Sequence, residues 1–349
     1  MKTFKQFTTS SNGSLKNTHI EHPEDSVLNG DLTVLNWFTE NGKISAKIDG
    51  APAIVWGRNP KTENFFVGTK SVFNKRLIKI NESHEDIDRN HVGNVATILH
   101  ECLDNLPRTD TIYQGDFIGF GGEECYQPNT ITYYFPEKVT NNIIIAPHTV
   151  YTAENDLREA VVDNEAILNL QSDNNVLFVR PWVTIDEHRE DINDLCKFAR
   201  QMSTICEFPE YKQVPRIKQH LNACIRNEIE LDDLTLEALA HDNNCDVNVL
   251  RLWKLVESIK MDMFAYIEAD NTMECYIGEE MCDHEGYVLH NKYGTFKIVN
   301  REGVATYDLS ECQTRVPFSG CTPVISPLAS TFPNTCSLGI VSRRVERLI

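Results

Sequence analysis

The chain has no run approaching the roughly 18 to 20 apolar residues that a membrane-spanning helix requires. The stretch from Met1 to Gly13 is polar and carries no apolar signal core. Both absences point to a cytoplasmic protein without a membrane partner. The eleven cysteines include no C-x-x-C pair, and their odd number fits neither a disulfide framework nor a thiolate zinc site; most read as small core residues in a reducing compartment. There is no internal repeat. Basic charge is also scarce: 33 Lys and Arg face 51 Asp and Glu, a formal net charge of -18. A protein that wraps long nucleic acid usually shows a net basic footprint, so any such contact here must be local. The run Lys70, Lys75, Arg76 and Lys79 is the one basic cluster that offers it.

What is present is ample for a large core. The chain has 349 residues, 41% of them apolar and 24% charged, which allows two or three domains. Residues 1–42 are polar and turn-rich, with one apolar cluster at Leu32, Val34, Leu35, Trp37 and Phe38 that reads as a short helix beside the first strand. Strands are predicted at 43–49, 51–57 and 64–68, punctuated by Gly50 and by Gly57-Arg58-Asn59-Pro60. The 3–4 spacing of Val92, Val95, Ile98, Leu99 and Cys102 predicts a helix over 85–106. Strand-like runs follow at 111–119, 131–135, 143–151 and 175–181. From Thr184 the texture turns helical, ending in the stripe Val249, Leu252, Trp253, Val256, Ile259, Met263 and Ile267, entered through Asp246 as a cap. Strand texture returns at 286–290 and 295–299. The pattern predicts an α+β protein dominated by antiparallel strands, divided as 1–183, a helical insertion or subdomain at 184–269, resumed strands at 270–311, and a poorly structured tail at 312–349.

Lysines and carboxylates recur where these strands begin and end. Lys47 precedes Asp49 and Gly50, Lys70 closes another strand, Asp116 lies inside an apolar strand, Glu285 precedes one, and Lys297 lies within the last. Such a set suits a nucleoside triphosphate with a divalent metal. An unperturbed lysine, with a pKa of about 10.4, is almost wholly ammonium at neutral pH. Burial or a neighbouring cation such as Lys297 lowers that value, after which neutral Lys47 could attack the α-phosphorus of a nucleotide with pyrophosphate as leaving group.

The order and spacing resemble a family. Lys47-Ile48-Asp49-Gly50 is similar to motif I (K-x-D-G) of the covalent nucleotidyltransferases, the superfamily of ATP-dependent DNA ligases, RNA ligases and mRNA capping enzymes. Asp283-His284-Glu285-Gly286-Tyr287-Val288 resembles motif IV, Phe296-Lys297-Ile298-Val299 motif V, and Gln114-Gly115-Asp116-Phe117 motif III. The likeness spans about 43–300 and is closest to phage-type ligase-like proteins, which would place the chain in the host cytoplasm. It implies an ATP-grasp-like, antiparallel-sheet core with Lys47 carrying AMP and Lys297 acting with it in catalysis. Asp49, Gly50, Lys70, Asp116 and Glu285 would contact the nucleotide, Asp116 at the ribose, and Glu285 would serve Mg²⁺ or Mn²⁺. Lys75 and Arg76 would then meet nucleic acid bearing 5′-phosphate and 3′-hydroxyl ends.

The chain departs from the pattern in several places. Pro52 stands where ligases carry an arginine, with Arg58 as a substitute; Asp116 replaces a glutamate; Val299 replaces a second lysine, with Lys292 as a candidate helper. Tyr133, Tyr134, His148 and Tyr151 all qualify as the aromatic that stacks on adenine. About fifty residues follow Lys297, too few for the usual OB domain. That shortness tips the expectation toward an RNA ligase over a DNA nick ligase, with a non-ligase AMP transferase or a nucleotide- or nucleic-acid-binding protein as the other class.

Overall fold

The computed structural model describes residues 20–301, apart from 165, 167, 271, 279 and 283. Asp283 and the tail expected at 312–349 therefore lie outside the described residues. The fold is α+β, and its sheets are antiparallel except where Val176–Phe178 runs parallel to Ile143–Thr152.

The largest sheet has the strand order Phe65–Gly68, Ala53–Arg58, Ile112–Phe120, Ile143–Thr152, Val161–Val162. Alternation sends Ile54, Trp56, Tyr113, Phe117, Ile143 and Ile145 to one face, where helices His84–Asn90 and Asn94–Asn105 cover them with Ile87, Ile98, Leu99, Cys102 and Leu103. The single helix predicted over 85–106 is thus two. Gly93, at φ +63°, breaks it, because a left-handed residue turns the chain out of the helical path at little cost only when it lacks a Cβ. The opposite face carries two separate apolar clusters. Val55, Phe66, Ile112 and Tyr151 form one; Ile118, Ile144 and Ala146 join Ile131, Tyr133 and Cys275 of a four-stranded sheet in the other.

A smaller sheet of three strands, in the order Lys43–Lys47, Gly286–Asn291, Gly294–Ile298, brings the two ends of the described chain together. One face is apolar: Ile44, Ala46, Tyr287, Leu289, Phe296 and Ile298 pack on the four helices Glu190–Ser203, Val214–Arg226, Asp233–Asn243 and Val247–Asp262. The helices of 184–269 thus share a continuous core with this sheet and with Val34, Leu35, Trp37 and Phe38 from the N-terminal segment. Trp37 adds a hydrogen bond from Nε1 to Leu289 O at 3.2 Å, and Asp246 caps the last helix by accepting from Asn248 N at 3.0 Å. No described helix is long and apolar enough to cross a membrane.

Candidate active site

The other face of the three-stranded sheet is polar. The register pairs Lys47 with Gly286 and Val288 with Lys297, so period-two alternation puts Lys43, Ser45, Lys47, Val288, His290, Thr295 and Lys297 on one side. Lys47 closes its strand, and its carbonyl accepts from Glu285 N at 3.2 Å. That link turns the Glu285 side chain back over the sheet, where its Oε2 accepts a hydrogen bond from Lys47 Nζ. The turn preceding it holds His284 in the left-handed region at φ +53°, a conformation uncommon for a residue with a Cβ. Gly286 permits the strand to begin directly after Glu285: at φ +130° a Cβ would stand 2.3 Å from Ile298 O.

Burial sets the electrostatics. It raises the Glu285 pKa, against the pull of Lys47 and Lys297 and with the help of nearby Asp49. Lys297 is lowered, first by burial and then by the positive charge of Lys47 and Arg301. Its backbone N donates to Glu21 O at 3.1 Å, so the N-terminal segment lines the outer edge of this strand. Directly after Glu21 comes a buried ionic group. Lys260 Nζ reaches Glu24 Oε1 at 2.8 Å with both side chains fully buried, while Arg301 bridges Glu24 and Asp25 at 3.1 Å each.

Beyond Lys47 the chain passes into the six-stranded sheet through Asp49, Gly50 and a cis Ala51–Pro52 bond. The buried Tyr133 hydroxyl fastens this passage. It accepts from Asp49 N at 2.9 Å and donates to Asp49 O at 3.0 Å, while Asn129 donates to the Asp49 carboxylate. Gly50 is required by contact, since a Cβ there would lie 2.5 Å from Phe117 O. Asp116 lies on the six-stranded sheet between its two apolar clusters, paired across strands with Ala53 and Ala146. His148 Nε2 stands 3.7 Å from its carboxylate.

Lys47, Glu285 and Lys297 are thus brought together, with Asp49 beside them, and Asp116 projects from the second sheet. Lys70, Lys75 and Arg76 are exposed, in and just after the 3-10 turn that follows edge strand Phe65–Gly68. Two substitutes are engaged elsewhere: Arg58 pairs with Glu63 and Asp110, and Lys292 with Glu40 at 2.7 Å. Among the aromatic candidates, Tyr133 is buried under Asp49, and Tyr151 is buried with its hydroxyl on Gln114 Oε1 at 2.9 Å. His148 is half-exposed beside Asp116.

Residues 17–236 and 227–310 match a family of unknown function, DUF6267. The chain belongs to this family. No curated protein and no solved structure matches it. In this DUF6267 chain, sequence reasoning missed Asn129, the anchoring role of Tyr133 and the Glu24–Asp25–Lys260–Arg301 group. Glu24 and Asp25 fall in the stretch 1–42 that reads as polar and turn-rich, and only the tertiary contact with Val247–Asp262 shows them to be buried.

Proposed function

We propose that the chain is an ATP-dependent polynucleotide ligase of the covalent nucleotidyltransferase type, acting on RNA in preference to DNA. The observation that carries this reading is the hydrogen bond from Lys47 Nζ to Glu285, with Lys297 on the same face of the same sheet. An ammonium cannot attack phosphorus. The Glu285 carboxylate is placed to take the Lys47 proton, and burial makes it a stronger acceptor than an exposed glutamate. Neutral Nζ then forms a bond to the α-phosphorus of ATP as the bond to the pyrophosphate oxygen breaks.

Lys297 supplies positive charge to the phosphate oxygens from a half-buried position, where screening is weaker than in water. The AMP then moves from Lys47 to a 5′-phosphate oxygen, breaking the N–P bond, and a 3′-hydroxyl displaces AMP to seal the strand. Asp116 is the group for the ribose hydroxyls. Among the described residues no three His, Cys, Asp or Glu side chains form a ready metal cage. Mg²⁺ is commonly held by one or two carboxylates together with substrate phosphates, and Glu285 and Asp49 fit that donor set. When bound, the ion offsets phosphate charge. Cys102, Cys196 and Cys224, free thiols within the fold, fit a reducing cytoplasm.

The charge of -18 favours one second reading, transfer of AMP to an acceptor that is not a polyanion. Protein loaded with α-labelled AMP and chased with nicked RNA, nicked DNA or single-stranded RNA separates the two. Sealing with loss of label supports the ligase, and label that no polynucleotide discharges supports the second reading.

A further inference from the structure

A second polar cluster stands on the far side of the six-stranded sheet from Asp116, on the two helices that cover that face. Each helix presents a histidine and an aspartate one turn apart: His84 and Asp88 on His84–Asn90, His100 and Asp104 on Asn94–Asn105. The contacts cross between helices. His84 Nε2 meets Asp104 Oδ1 at 3.1 Å, and His100 Nε2 meets Asp88 Oδ1 at 3.1 Å. The rings lie edge to edge and nearly coplanar, with centroids 5.0 Å apart and planes at 19°, and their two Nδ1 atoms face each other at 2.7 Å.

This geometry constrains what lies between the rings. A carboxylate only accepts hydrogen bonds, so each Nε2 carries a hydrogen for its aspartate. Two neutral rings would then direct their Nδ1 lone pairs at one another, which is repulsive at this distance. A cation between them removes that repulsion, and a divalent ion also balances the charge of the two carboxylates. The carboxylate behind each imidazole is also the arrangement that orients metal-binding histidines and raises their basicity.

We propose that His84 and His100 form a two-imidazole site for a first-row transition-metal ion of the Zn²⁺ class, with Asp104 and Asp88 orienting the rings and water completing the coordination. Imidazole suits this class, whereas Mg²⁺ and Ca²⁺ favour oxygen donors. At a Zn–N distance of about 2.0–2.1 Å and a tetrahedral angle, the two nitrogens stand about 3.3 Å apart. From the head-on arrangement at 2.7 Å the rings must part by roughly half an ångström and each swing by roughly 35° so that both lone pairs meet at the ion. The His84 side chain is 51% exposed and that of His100 28%, so both have the freedom to do so. Binding ties the helices together from outside, independently of nucleotidyl transfer.

Calorimetric titration of chelator-treated full-length protein with Zn²⁺ tests the site. One equivalent binds. His84→Ala and His100→Ala each abolish that event, and Asp88→Asn and Asp104→Asn weaken it about 10- to 100-fold. Circular dichroism confirms that the variants are folded, and His100→Gln replaces any that is not. Failure of the wild type to bind, or binding as in wild type by the His84 or the His100 variant, overturns the proposal; the latter result marks Zn²⁺ held by other side chains.

Discussion

Tyr133→Phe removes one oxygen and keeps the ring in place. The lost hydroxyl makes two hydrogen bonds, at 2.9 and 3.0 Å, with the backbone of Asp49, two residues beyond Lys47. Each bond contributes about 0.5–1.5 kcal/mol net, so the expected loss is about 1–3 kcal/mol. For a fold of this size that lowers Tm by roughly 2–6 °C. The effect on chemistry is larger in proportion. Asp49 and Gly50 fix where the Lys47 strand ends, and a misplacement of about 1 Å at a reacting group can cost on the order of 100-fold in rate. Single-turnover formation of lysyl-AMP is therefore expected to slow about 10- to 100-fold in Tyr133→Phe, measured well below its Tm. A variant destabilised as stated but adenylylated at the wild-type rate refutes a positioning role for Tyr133. A variant unchanged in both refutes the hydrogen-bonded anchor itself.

Three further outcomes follow from buried geometry. Lys260→Met leaves Glu24 buried with Arg301 as its remaining cation and should cost about 3–5 kcal/mol in denaturant unfolding, much of it recovered by adding Glu24→Gln. For Asp25, burial favours the neutral acid, but the charge and hydrogen bonds of Arg301 outweigh it and hold the carboxyl below the usual range. Its stabilisation is then complete above the unfolded pKa of about 3.9 and lost as pH falls through the lower folded value; Asp25→Asn should lower stability at neutral pH and flatten its dependence below about pH 4. Gly286→Ala should cost about 2–4 kcal/mol, because the methyl both meets Ile298 O and sits at φ +130°. Gly93→Ala, with open space around it, should cost only the backbone strain of φ +63°, ψ −145°, about 1–3 kcal/mol, and thermal melts of the pair compare the two.

Much of this architecture was legible because period and punctuation are local signals. The strand expected at 111–119 forms at Ile112–Phe120, and the cap at Asp246 and the stripe from Val249 to Ile259 appear where the sequence placed them, although Met263 and Ile267, expected to continue the stripe, fall in a 3-10 turn and a strand. The same alternation, applied to Lys47 and Lys297, is what puts them on one face. Less legible were features that depend on partners distant in sequence. Glu24 and Lys260 lie 236 residues apart, and nothing local distinguishes a buried carboxylate from a solvated cap. Helix 85–106 was read as continuous because its apolar spacing spans Gly93 without interruption. Arg58 and Lys292 looked available as substitutes until Asp110 and Glu40 were seen to hold them.

The covalent step is tested most directly by incubating the protein with Mg²⁺ and ATP labelled at the α-phosphate, then denaturing and resolving it. Wild type should retain acid-labile, alkali-stable label mapping to Lys47, with none retained in a folded Lys47→Ala variant. Equal labelling of wild type and Lys47→Ala, or none in wild type with either Mg²⁺ or Mn²⁺, would contradict Lys47 as the nucleophile.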